Sequence, residues 1–94
     1  MTVHEINISE LIGGNEFISS GDGQLLYERI CYMLSRDDIV HVDFLGINKI
    51  SDEALSESIG KLYRSDEWDK LILCNIKYIN VTDSERAQIN RFVN

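Results

Sequence analysis

Three carboxylates gather around one apolar run: Asp37 and Asp38 stand just before Ile39–Phe44, and Asp43 lies near its end. A strand-end aspartate with an acidic pair to hold a metal is the equipment of phosphoryl acceptance. Position argues against that chemistry here. Asp37 and Asp38 enter the strand that Asp43 leaves, so about six residues at roughly 3.3 Å each separate them. No lysine follows the second apolar run, Leu71–Leu73, closely enough to clamp a phosphate. Asp43 is better read as a brace for the turn after it. His41, between Val40 and Val42, has no nucleophile with a route to it and reads as a packed core histidine. Gly21-Asp22-Gly23 holds too few glycines to cradle a phosphate. Cys31 and Cys74 are flanked by apolar residues and read as buried thiols. Two cysteines and two histidines without close spacing make no metal set. Neither a cofactor nor an enzymatic activity is expected.

One stretch has a physical argument for recognition. Ser51 reads as the N-cap of a helix whose first turn holds Asp52 and Glu53. The first amides of a helix are unpaired donors and the dipole is positive there, so negative charge is stabilised at that end. Two readings fit: a well-capped helix and an acidic recognition surface.

The elements that must position these residues follow from periodicity. Ile39–Phe44, rich in β-branched residues, predicts a strand buried on both faces. Leu45–Ile50, with Gly46 and Asn48, is a turn, and Leu55, Ile59, Leu62 and Tyr63 make the apolar stripe of the helix after Ser51. Upstream, Thr2–Ile8 alternates as a strand with His4, Ile6 and Ile8 on one face. Gly13-Gly14-Asn15 is a turn signal from which Glu16–Ser19 would return as a hairpin partner, and Ser19–Gly23 is a loop. Gln24–Ser35 is a helix buried through Leu26, Ile30, Met33 and Leu34. Downstream, Lys70–Cys74 reads as a second buried strand and Ile76–Asn80 as an irregular connection. Thr82-Asp83-Ser84-Glu85 is a capping box before a last helix that buries Ile89, Phe92 and Val93. Tyr27, Tyr32, Tyr63 and Tyr78 are scattered and read as partial core. Strands alternating with helices predict a small α/β domain, its sheet mainly parallel (a mixed sheet being the variant) and packed by about three helices.

Ninety-four residues make a single domain spanning 1–94. The net charge of −7 argues against nucleic acid and anionic membranes, whose phosphates attract Lys and Arg. Residues 1–47 hold eight acids against Arg29 and Arg36, net −6, whereas residues 48–94 are nearly balanced at net −1. No apolar run approaches the roughly 20 residues of a membrane span. Met1-Thr2-Val3-His4-Glu5 lacks a signal-peptide pattern, so a cytoplasmic location is expected.

The stretch VDFLGINKISDEALSESI resembles the strand–turn–helix signature of STAS domains, the family that includes bacterial anti-sigma-factor antagonists. Those domains read hydrophobic-Asp-Leu-Ser-Gly-Val, then Ile-Asp-Ser-Ser-Gly-Leu, and Asp43, Gly46, Ile47, Ile50 and Leu55 stand at matching positions. Gly23 before the first helix and Asp43-Phe44 in place of Asp-Leu bring the chain closer to the STAS-like domains of unknown function. These occur in bacteria and phages, at times beside a histidine-kinase-like ATPase. In the antagonists, a serine at the start of the second helix is phosphorylated and the phosphate breaks the complex. Glu53 occupies that position here and Ser51 that of the preceding aspartate. The resemblance therefore implies a fixed charge in place of a switch.

The expected function is a non-enzymatic regulatory module binding a protein partner, in the class of a histidine-kinase-like ATPase. Ser51, Asp52, Glu53 and Ser56 are the expected contact surface, with Asp43 and Gly46 as structural support. The alternative is a small acidic, DNA-mimic-like inhibitor, phage-encoded, that covers a basic protein surface. The skewed charge of residues 1–47 is what favours it.

Overall fold

The computed structural model describes residues 1–93. In chain order it holds β1 (Val3–Asn7), α1 (Ile8–Ile12), β2 (Glu16–Phe17), α2 (Ser20–Met33), β3 (Ile39–Asp43), β4 (Lys49–Ile50) and α3 (Asp52–Leu55). A π-helical turn (Ser56–Gly60), α4 (Lys61–Arg64), α5 (Lys70–Leu73), β5 (Ile76–Ile79) and α6 (Asp83–Asn90) follow. From Asp52 to Arg64 the chain is helical without a break. β3 is the middle strand of a parallel three-stranded sheet ordered β1-β3-β5, and β2 and β4 form a separate two-residue parallel ladder. This is the small α/β architecture expected from the sequence, with more and shorter helices.

One face of the sheet carries the core. Ile6, Val40, Val42 and Ile76 are buried there with Phe44, Leu26, Ile30, Leu55, Ile59 and Leu62 from the loops and helices around them. A fully buried side chain of this size contributes roughly 1.5–3 kcal/mol, so this cluster dominates the stability. α2 lies tight against α3, because a Cβ built on Gly23 would run into the Ala54 carbonyl and come within 2.8 Å of the Glu57 Cβ. Only glycine permits that approach. In the π turn, fully buried Ser58 donates its hydroxyl to the Ala54 carbonyl at 2.8 Å, which satisfies the one fully buried polar residue among the described residues.

The other face is open, which corrects the expectation of a strand buried on both sides. Along β3 fully buried Val40 and Val42 alternate with partly exposed Ile39, His41 and Asp43. His41 is therefore no core residue; its side chain is 31% exposed, 3.9 Å from Glu5 Oε1.

Local expectations also fail, most for a readable reason. Gly13-Gly14-Asn15 closes no hairpin. Asn7 Oδ1 accepts from the Glu10 amide at 2.8 Å and starts α1, and Gly13, at φ +70°, ends it. β2 pairs instead with β4, the Asn15 and Phe17 carbonyls accepting from the Asn48 and Ser51 amides at 2.8 and 3.0 Å. Ser19–Gly23 is no loop, since Ser19 and Asp22 form a capping box that starts α2 four residues early. Lys70–Cys74 is no strand: Asp69 Oδ1 caps the Leu71 amide at 2.8 Å, and exposed Leu71 beside buried Leu73 shows one-sided helical burial. The third sheet strand is Ile76–Ile79, which read as a connection. Of the thiols, finally, Cys31 is partly buried against the core but Cys74 is exposed, and Tyr32 is exposed rather than part of the core.

Candidate functional site

The start of α3 is built by three neighbours. Ser51 leaves β4 in extended backbone, φ −105° and ψ 157°, and its Oγ accepts from the Ala54 amide at 3.0 Å. The same hydroxyl donates to the Ile18 carbonyl at 2.6 Å, so both of its capacities are used. That tie joins the helix start to β2. Asp52 is claimed from the other side. Its Oδ1 accepts from Arg91 Nη2 at 2.7 Å and from Gln88 Nε2 at 3.0 Å, both from the end of the chain. Gln88 Nε2 also donates to the Ile50 carbonyl at 3.2 Å. One turn on, Ser56 receives Arg64, whose guanidinium donates to its Oγ at 3.3 Å and its carbonyl at 3.1 Å.

Glu53 differs from all of these. It is exposed, and among the described residues its side chain makes no hydrogen bond or ion pair. The structure thus brings the four expected residues together on the first two turns and leaves one of them free. With Asp52 neutralised by Arg91, Glu53 carries the unpaired charge at the positive end of the helix.

The turn before the helix is held as expected. Asp43 Oδ1 accepts from the Leu45 amide at 2.9 Å and from Asn80 Nδ2 at 2.7 Å, tying the ends of β3 and β5. Burial pushes the Asp43 carboxyl up, but these hydrogen bonds outweigh it and hold the group below its ordinary range. The Ile47 amide closes the turn on the Phe44 carbonyl at 2.9 Å, with Gly46 at φ +91° inside it. A side chain is strained there. Asp38, one of the other two carboxylates, is spent at the opposite end of the strand. His4 Nε2 lies 3.0 Å from its Oδ2, and Oδ1 accepts from the Thr2 amide at 3.0 Å.

Among the described residues, no group of three or more His, Cys, Asp or Glu is placed to hold a metal ion. Burial pushes the Cys31 thiol up, away from the nucleophilic thiolate. A hollow of about 180 Å³, lined by Gly60, Tyr63, Arg64, Arg91 and Phe92, adjoins the site, smaller than the roughly 300–1,000 Å³ of small-molecule pockets.

The model of one family, described as STAS-like domain of unknown function (DUF4325), matches residues 22–86, well over half of the chain. The chain belongs to this family. The match runs from the first turn of α2 into α6, so it takes in Asp43, Gly46 and the whole start of α3, and leaves β1 and α1 outside. Comparison with curated proteins and comparison with solved structures each gave no match.

Sequence reading missed the residues that tie down the start of α3: Gln88 on α6, Arg91 at its C-cap, Arg64 on α4 and the Ile18 carbonyl. Gln88 and Arg91 are three apart and share a helix face, but nothing local says which element that face meets. No helix of the described residues is long and apolar enough to cross a membrane.

Proposed function

We propose that this STAS-like domain is a non-enzymatic regulatory module that binds a protein partner, of the histidine-kinase-like ATPase class, through the start of α3. The reading rests on one observation: of Ser51, Asp52, Glu53 and Ser56, only Glu53 has a side chain not already committed inside the fold. Glu53 stands where the related antagonists carry their phosphorylatable serine. A carboxylate there is a constant charge of −1, where phosphorylation adds about −1.5 to −2 on demand. The module would accordingly sit in a single signalling state.

Glu53→Lys reverses this charge on an exposed position, so the change in fold stability stays at about 1 kcal/mol or less. The test is recovery of partners from native lysate, then calorimetry with the recovered protein at two salt concentrations. Tenfold or greater weakening by Glu53→Lys, about 1.4 kcal/mol, with both proteins equally folded, is the expected result. Equal binding by both would place the interface elsewhere and reduce this stretch to a capped helix. Affinity that collapses with salt and ignores Glu53 would point to an acidic surface mimicking nucleic acid.

A further inference from the structure

The sheet is wholly parallel and its helices cover one face. Parallel sheets occur almost only with both faces covered, so the open face of this one lacks its usual second layer. Its residues fall into rows set by the strand register: Val3 and Ile39, then Glu5, His41 and Lys77, then Asn7, Asp43 and Ile79. Val3 is 50% exposed and the Glu5 side chain 73%. Lys77 is also exposed. The middle row therefore runs acid, histidine, base across the three strands, with the opposite charges on the two outer ones.

We propose that this face pairs with the same face of a second copy of the chain, around a two-fold axis lying along β3 above His41. Rotation about that axis sets β1 of one copy over β5 of the other. Glu5 then faces Lys77 of the second copy at the same level, and Lys77 faces its Glu5. An axis across the strands would instead set β1 over β1 and Glu5 over Glu5, a like-charge contact. The first arrangement makes two Glu5–Lys77 pairs against one like-charge contact, Asp43 on the axis facing its own copy. The second sets both Glu5 over Glu5 and Lys77 over Lys77, so the charge pattern favours the first. Two sheets related this way are free to adopt the aligned packing of sandwiches, about 10 Å apart and about 30° crossed. Partly buried Ile39 and Ile79, with exposed Val3, supply apolar contact beside the charged row. Three strands about 4.8 Å apart and five residues at about 3.3 Å make a footprint well below the roughly 800 Å² per partner of a standard stable interface. The dimer is accordingly weak and reversible, and the −7 on each copy calls for salt near 0.15 M to screen it.

Sedimentation velocity of the full chain, from micromolar to millimolar concentration, tests this with three variants. Wild type is expected to shift from monomer to dimer across the series. Glu5→Lys and Lys77→Glu each weaken association by about tenfold or more, and the double swap restores it to within about threefold of wild type, the scale of a recovered charge pair. Both positions are exposed, and circular dichroism melts of all three variants verify that they fold. A chain that stays monomeric to the millimolar range overturns the proposal. So does a dimer indifferent to either single variant, or one that the double swap fails to restore. Loss of a different protein partner on Lys77→Glu, without self-association in wild type, would assign the face to that partner and equally reject the second copy.

Discussion

The two faces of the sheet are made by alternate residues of the same strands, yet they meet different demands. On one side Val40, Val42 and Ile6 are removed from water and packed under α2 and the helical run from Asp52 to Arg64. On the other, Glu5, His41 and Lys77 stand in or near solvent. A one-residue step along β3, from His41 to Val42, thus crosses from a partly exposed surface to one the fold depends on. Side-chain alternation in a strand makes so sharp a boundary possible.

The strongest way to break the comparison is at Val42. Val42→Asp places a carboxylate with no partner among apolar side chains and is expected to lower stability by about 4 kcal/mol or more. A denaturant midpoint close to that of wild type would mean that this face is not the core. Next in size is the helix layer that covers it. Gly23→Ala sets a methyl group against the Ala54 carbonyl and the Glu57 Cβ, and overpacking of that kind costs about 1–3 kcal/mol. Calorimetric melting that leaves Tm unchanged or raises it would show α2 and α3 free to part.

At the rim of the open face the effect is smaller and depends on pH. Asp43 has its carboxyl held below the ordinary range once folded, hydrogen bonds from Asn80 and Leu45 outweighing burial. Its folded pKa being depressed, it stabilises the fold above the ordinary carboxylate range and loses that contribution as pH falls through it. Urea midpoints of wild type and Asp43→Asn are therefore expected to converge between about pH 5 and pH 3, with wild type the more stable at pH 7. Parallel curves across that range would show that the charge of Asp43 does not brace the turn. The smallest change belongs to the middle of the open face. His41→Gln leaves core packing intact and is expected to shift stability by less than about 0.5 kcal/mol. A loss comparable to that of Val42→Asp would erase the distinction between the faces.

Much of this arrangement was legible residue by residue because its cause is local. The burial of Val40, Val42 and Phe44, the stripe of Leu55, Ile59 and Leu62, and the caps at Ser51 and Thr82 depend on neighbours a few positions away. So does the brace at Asp43, whose amide partner is two residues on. Local signals failed where two readings shared one pattern. Gly-Gly-Asn ends a helix as readily as it turns a hairpin. Leu71-Ile72-Leu73 is apolar enough for a strand or a helical turn, and the Asp69 cap decides between them.

The strand order β1-β3-β5, the covering of one face alone and the partners of Asp52 were left to tertiary structure. Each needs groups far apart in sequence to meet: Asp52 and Arg91 are joined across 39 positions, Asp43 and Asn80 across 37. Periodicity states that a residue is to be buried or charged, since that follows from its own chemistry. Which neighbour buries it, or takes up its charge, depends on how the whole chain closes. For that reason Glu53 was legible as a charge at a helix start, but its freedom appeared only once Arg91, Gln88 and Arg64 had been seen to engage its neighbours.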